Sequence, residues 1–192
     1  MVTVAPSARE ARRLETRARL FDAALAEISG RGLAAADVSA IAAAAGVVRG
    51  TFYFHFPTKE HVLAELERNE EFRIVDQLRA VAGDLDSVFS RLVEKVLEAE
   101  SRLGTVVFRD MLGLHFASHP ADDKLDQHPL LEFLVGVISR AQQAQEVLAD
   151  ADPGELGMFF LTGLFALLAT GAHDAELLRR YVTTIVRGME TR

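Results

Sequence analysis

Apolar positions recur at helical spacing along nearly the whole chain. Leu14, Ala18, Phe21, Leu25 and Ile28 follow one another at four, three, four and three residues, which places them in one stripe on a helix. Ser7 stands ahead of that helix with Glu10 three residues later, the spacing of a capping box. Gly30 and Gly32 end it, because glycine tolerates the left-handed conformation that follows a helix. A short helix is predicted from about Val38 to Ala45, then a turn at Gly46, then a second short segment to Phe56. Pro57-Thr58 opens a longer helix through about Ala82, whose stretch Glu65 to Arg73 alternates in charge and reads as a solvated face. Beyond Gly83 five more helices are predicted, at about 86–103, 105–118, 129–148, 153–171 and 174–190. The polar segment from His119 to Pro129 reads as a loop. The pattern therefore predicts an all-α protein.

Residues Leu156 to Ala172 hold no charge over seventeen positions. A membrane span needs about twenty apolar residues. This run also contains Gly157, Gly163 and Gly171, and it lacks a basic flank. A helix buried on all sides, by its own domain and a second subunit, is the expectation.

The segment Asp37 to Phe56 has the pattern of two short helices packed steeply, with the second left free to enter a DNA major groove. Asp37 can cap the first helix. Val38, Ile41 and Ala45 give it an apolar face, and Ala42 keeps it thin where another helix crosses. Gly46 allows a tight turn, and Val47 plugs the junction. Thr51 to Phe56 is β-branched and aromatic, so propensity alone suggests a strand. The Gly46 turn and the Pro57 break favour a helix, on which Phe52 and Phe56 share a buried face while Thr51, Tyr53 and His55 project outward.

Composition changes this picture only in places. The 192 residues carry a net charge of −7, which argues against a nucleic-acid partner if the charge is taken as uniform. It is not uniform. Residues 1–61 hold eight Lys/Arg against six Asp/Glu, a balance of +2, and the remainder carries −9. Five arginines lie between Arg9 and Arg19, and Arg9, Arg12 and Arg13 could follow phosphate or simply face solvent. The chain has no cysteine, which excludes disulfides, thiolate zinc sites and a cysteine nucleophile. Met1 to Ala8 lacks the hydrophobic stretch of a signal peptide, so a cytoplasmic location is expected.

Ile41-Ala42, Ala45-Gly46-Val47, Gly50-Thr51-Phe52-Tyr53, His55-Phe56 and Lys59-Glu60 together resemble the signature of the tetracycline-repressor (TetR) family. The resemblance covers about residues 10–65. It implies an all-α protein with an N-terminal three-helix helix-turn-helix DNA-binding domain and a C-terminal helical ligand-binding and dimerisation domain. The expected division is a flexible arm over 1–8, the DNA-binding domain over 9–57, and the effector-binding and dimerisation domain over 58–192. The resemblance places Thr51 against a base edge or methyl group, and Tyr53, His55 and Lys59 on phosphates. Arg49, beside Gly50, would reach a phosphate or a guanine, and Ser39 the DNA backbone. One position departs from the pattern: Val48 stands where family members often carry Ser or Thr, and valine can neither cap a helix nor donate to phosphate.

The same resemblance implies a homodimer that represses from a palindromic operator and is released by a small-molecule effector. Phe89, Phe108, Met111, Leu112, His115, Phe116, Phe133 and Val137 fall on helices expected to surround the effector, although such residues at helical spacing also build cores. Phe159, Leu164, Leu168, Leu178 and Ile185 are the expected dimer contacts. No cofactor and no metal is expected. His115 and His119, with Asp122, Asp123 and His128 nearby, leave a metal site open as an alternative. A helical enzyme or a protein-interaction module without DNA binding stays open too, but none of the common catalytic motifs occurs.

Overall fold

The computed structural model describes residues 7–80, 83–117, 128–171 and 174–190. These residues form helices α1 (Ala8–Arg31), α2 (Val38–Ala44), α3 (Arg49–His55), α4 (Glu60–Leu78), α5 (Leu85–Leu103), α6 (Thr105–Ala117), α7 (Pro129–Gln143), α8 (Pro153–Ala169) and α9 (Ala175–Met189). Among the described residues there is no strand, only an isolated antiparallel bridge between Val147 and Glu190.

Local chemistry sets most helix ends. The Glu10 N–H donates to Ser7 Oγ at 3.2 Å, so the predicted cap forms. Gly32, at φ +77°, closes α1 with its N–H on the Ile28 carbonyl. Asp152 and Asp174 cap α8 and α9 through the N–H groups of Glu155 and Leu177. Several expected bounds move, and α4 ends at Leu78 rather than near Ala82. α4 starts at Glu60 rather than at Pro57. α7 stops at Gln143 because Gln145 adopts φ +62°, after which Leu148 N–H donates to the Met189 carbonyl at 3.0 Å. The apolar stripe of α1 is also shorter than its spacing suggests: Leu20, Ala24 and Ile28 are buried, whereas Leu14 and Ala18 stand in solvent.

The chain divides into two compact units. One comprises the chain up to Leu66 together with Leu103–Leu114, and the other Glu67–Arg102 together with the chain from His115 onward. The first unit thus extends beyond Pro57, and α4 and α6 contribute residues to both units. The core of the first unit is Leu20, Ala24, Ile41, Ala45, Phe52, Phe56 and Val62, with Val38 and Val47 packed against it. Each large side chain there contributes about 1.5–3 kcal/mol by leaving water.

In the second unit Phe89 of α5 meets Phe160 of α8 with ring centroids 4.4 Å apart. Two glycines let α8 pack closely. A Cβ on Gly157 would lie 3.0 Å from Leu131 Cδ1, and one on Gly163 would lie 2.5 Å from the Tyr181 hydroxyl oxygen. That hydroxyl donates to the Phe160 carbonyl at 2.5 Å while the Tyr181 ring stacks on Phe160. Burial pushes the Tyr181 hydroxyl up to about 12, which keeps it protonated as a donor. The uncharged run is therefore a packed helix, and no helix among the described residues is long and apolar enough to cross a membrane.

Candidate functional site

The α2–α3 pair is built by caps and one glycine. Asp37 Oδ1 accepts the Ser39 N–H at 2.8 Å and so starts α2, leaving Ser39 exposed at its first turn. Gly46 turns the chain at φ +70°, and Val47 N–H returns to the Ala42 carbonyl at 2.9 Å. α3 then begins at Val48, which is extended, makes no side-chain cap and is 75% exposed. The missing cap expected from valine at this position is thus a property of the structure.

Phe52 anchors α3. It is fully buried, 5.7 Å from the Phe56 ring. Thr51 and His55 flank it half-buried, while Arg49, Gly50, Tyr53 and Phe54 face solvent. The Arg49 guanidinium donates to the Tyr53 hydroxyl at 3.3 Å and lies 5.8 Å from the centre of its ring. These two side chains hold each other upright on the exposed side. Burial pushes the His55 imidazole below its ordinary value, and the nearby Arg13 and Arg17 push it further. His55 is therefore neutral at pH 7 and offers one ring N–H.

Arg17 is committed inside the unit. Its guanidinium pairs bidentately with Glu65 and lies 4.4 Å over the Phe56 ring. Lys59 also has partners within the unit. Its ammonium donates to the carbonyls of Ala34 at 2.8 Å and Ala36 at 3.3 Å, so it ties down the loop after α1 and precedes α4 rather than lying in its first turn. Those carbonyls attract the nearest cation, a demand that spacing along the sequence does not reveal. Arg9, Arg12, Arg13 and Arg19 of α1 are exposed. A helix with its side chains is about 10–12 Å across, and a major groove is about 12 Å wide. α3 can enter such a groove with Arg49 and Tyr53 as polar groups. Sequence reasoning missed Phe54, because an aromatic residue amid Phe52 and Phe56 reads as core.

The second unit holds a cavity of about 800 Å³ between α4, α5 and α7. Phe72, Val75, Val88, Phe133 and Val137 supply its apolar wall, and Arg79 and Arg140 are among its charged lining. Of the eight residues expected around an effector, only Phe133 and Val137 line it. Phe89 is core against Phe160. Phe108, Met111 and Leu112 are buried and belong to the first unit, and Phe116 is exposed. Their helical spacing reflects packing.

His115 lies instead in a polar cluster. Its Nδ1 is 2.7 Å from Glu67 Oε1, and its ring is 5.9 Å from that of His128. Glu71, only 5% exposed, accepts the Leu130 N–H at 3.1 Å at the start of α7, with His128 Nδ1 3.9 Å from its other oxygen. The hydrogen bond to Glu67 pushes His115 above its ordinary value. The alternative metal group included His119, Asp122 and Asp123, which lie outside the described residues. Of the expected dimer contacts, Leu164, Leu168 and Leu178 are buried in the chain's own core and cannot present a surface. Ile185 is half-buried, and Phe159 is 62% exposed beside exposed Met158.

Residues 20–66 match the family model "Bacterial regulatory proteins, tetR family". The chain is 34% identical over 89 residues to the HTH-type transcriptional regulator AcrR of Shigella flexneri, an alignment covering 44% of this chain and 41% of that protein. It thus spans about two fifths of that relative's length. It is 27% identical over 135 residues to the uncharacterized HTH-type transcriptional regulator YvdT of Bacillus subtilis (strain 168), covering 67% of this chain and 68% of the relative. The fold is similar to that of Thermus thermophilus FadR, a TetR-family repressor solved in complex with lauroyl-CoA. The TM-score is 0.74 at 22% identity, over 92% of this chain and 96% of that one.

Proposed function

We propose that the chain, whose residues 20–66 match the tetR family of bacterial regulatory proteins, is a dimeric, sequence-specific DNA-binding repressor in the cytoplasm, released from a palindromic operator by a small-molecule effector. The observation that carries this reading is α3. It is anchored by Phe52 and presents Arg49 and Tyr53 outward from a unit whose Arg9, Arg12, Arg13 and Arg19 also face solvent. Arg49 meets a base or phosphate, Tyr53 a phosphate, and Thr51, His55, Gly50 and Ser39 border the contact. Lys59 contributes by fixing the loop behind them. Exposed Phe159 and Met158 on α8 support a second copy docking there, and a dimer supplies one α3 for each half-site of a palindrome.

The cavity of the second unit is the proposed effector site, and its apolar wall beside Arg79, Asp84, Glu132, Arg140 and Glu146 supports an amphipathic molecule. An effector that binds better to a form whose two α3 helices are wrongly spaced lowers operator affinity by that difference.

The test is selection of bound duplexes from a random DNA pool with purified protein. The reading predicts an enriched palindrome whose binding weakens with salt, as phosphate contacts require. It also predicts a dimer in a sizing experiment. No enriched sequence, or a monomer at micromolar concentration, contradicts it.

A further inference from the structure

Phe54 is 74% exposed, the most exposed aromatic side chain among the described residues. It stands on the helix that carries Arg49 and Tyr53. Successive residues of a helix turn about 100°, so Phe54, two positions after the buried Phe52, points away from the core at the outermost line of α3. Gly50 occupies the same line one turn earlier, and a Cβ placed there would meet nothing within 4 Å. A partner can therefore approach the α3 backbone closely alongside the Phe54 ring. The ring is not loose: the His55 imidazole meets it edge-on, with centroids 5.1 Å apart and planes at 86°.

Phenylalanine has no hydrogen-bond donor or acceptor, so it can neither hold a phosphate nor read a polar base edge. The apolar group that a major groove presents is the C5-methyl of thymine. We infer that Phe54 is a specificity-determining residue that reads a thymine in each operator half-site through that methyl group. This rests on the reading that α3 enters the major groove, and it goes beyond that reading by assigning a base to a side chain.

Uracil retains every polar edge and the pairing of thymine and removes only the methyl. The experiment takes the duplex enriched from the random pool and replaces its thymines by uracil one symmetric pair at a time. Affinity is measured for the wild type and for Phe54→Ala, a surface change whose folding is checked by circular dichroism. One thymine position should weaken wild-type binding by about fourfold per half-site when the methyl is lost, the ratio that burial of one such group gives. Phe54→Ala should bind the thymine duplex as weakly as the wild type binds the uracil duplex, and should not distinguish the two. A specific duplex bound equally well with uracil at every position overturns the inference and leaves the DNA-binding reading intact. So does an enriched half-site without thymine, or a thymine preference that survives in Phe54→Ala. If no duplex is enriched, both fail together.

Discussion

In the first compact unit Arg49 and the leading arginines of α1 stand in solvent, and large apolar groups such as Phe54 and Val48 stand beside them. In the second unit one group of polar side chains is held inward. Glu71 is buried on the Leu130 N–H, and the half-buried His115 is bonded to Glu67. Charges exposed at a surface have a high-dielectric surrounding and little structural value, so they are available to an outside partner. A buried carboxylate without its N–H partner is costly. The difference teaches that residue type does not separate function from structure here. Phe54 and Phe52 differ by two positions, yet one is the outer edge of α3 and the other its anchor.

Substitutions can break this contrast from either side. Phe52→Ala should have the largest effect, lowering stability of the first unit by about 3–5 kcal/mol. Specific DNA binding should vanish with it, as read by denaturant unfolding and by duplex titration. Retained binding with an unchanged unfolding midpoint would show that α3 does not depend on its anchor.

Glu71→Ala comes next. Leaving the Leu130 N–H buried without its acceptor should cost about 1–3 kcal/mol. The second unit should carry that loss while DNA affinity per folded molecule stays within twofold. An equal loss of DNA affinity would show that the inward polar groups serve recognition.

Val48→Ser supplies the cap that α3 lacks. A serine oxygen at this position should accept an N–H of the first turn and add about 0.5–1 kcal/mol, visible as a raised Tm. A lowered Tm would mean that the valine side chain contributes packing that its exposure does not suggest.

The smallest effect is on pH dependence. His115 is raised by its bond to Glu67, with Glu71 and the opposing His128 also acting on it. A histidine raised in the folded state contributes stability that is fully present below about pH 6.5. That contribution is lost as pH rises through the raised value. Stability of the wild type should therefore decline across that window more than stability of His115→Gln. Parallel curves would remove His115 as the cause.

The fold was largely legible in the chain because its signals are local. Ser7 with Glu10, Asp37, Gly46 and Pro57 mark ends within one turn, and the helices other than α4 and α7 lie close to their predicted spans. The ambiguous Thr51–Phe56 segment is helical, with Phe52 and Phe56 on one buried face. What spacing could not reveal depends on groups far apart in sequence. Lys59 is held by carbonyls 25 and 23 residues away. Glu71 meets a residue 59 positions later, inside a stretch whose alternating neighbours read as solvated. Leu164 and Leu178 are apolar on helices expected to dimerise, and only their three-dimensional packing shows that they face inward. The cavity wall likewise draws on Val75 and Val88, which no sequence motif marks.

The central claim is that the exposed side of α3 recognises double-stranded DNA. Equilibrium titration of the pool-selected duplex, at fixed salt, tests it with the wild type and with the double variant Arg49→Ala, Tyr53→Ala. The account predicts at least a tenfold loss of affinity with helix content and Tm unchanged, because both side chains are exposed and outside the core. Undiminished affinity in that variant would contradict it.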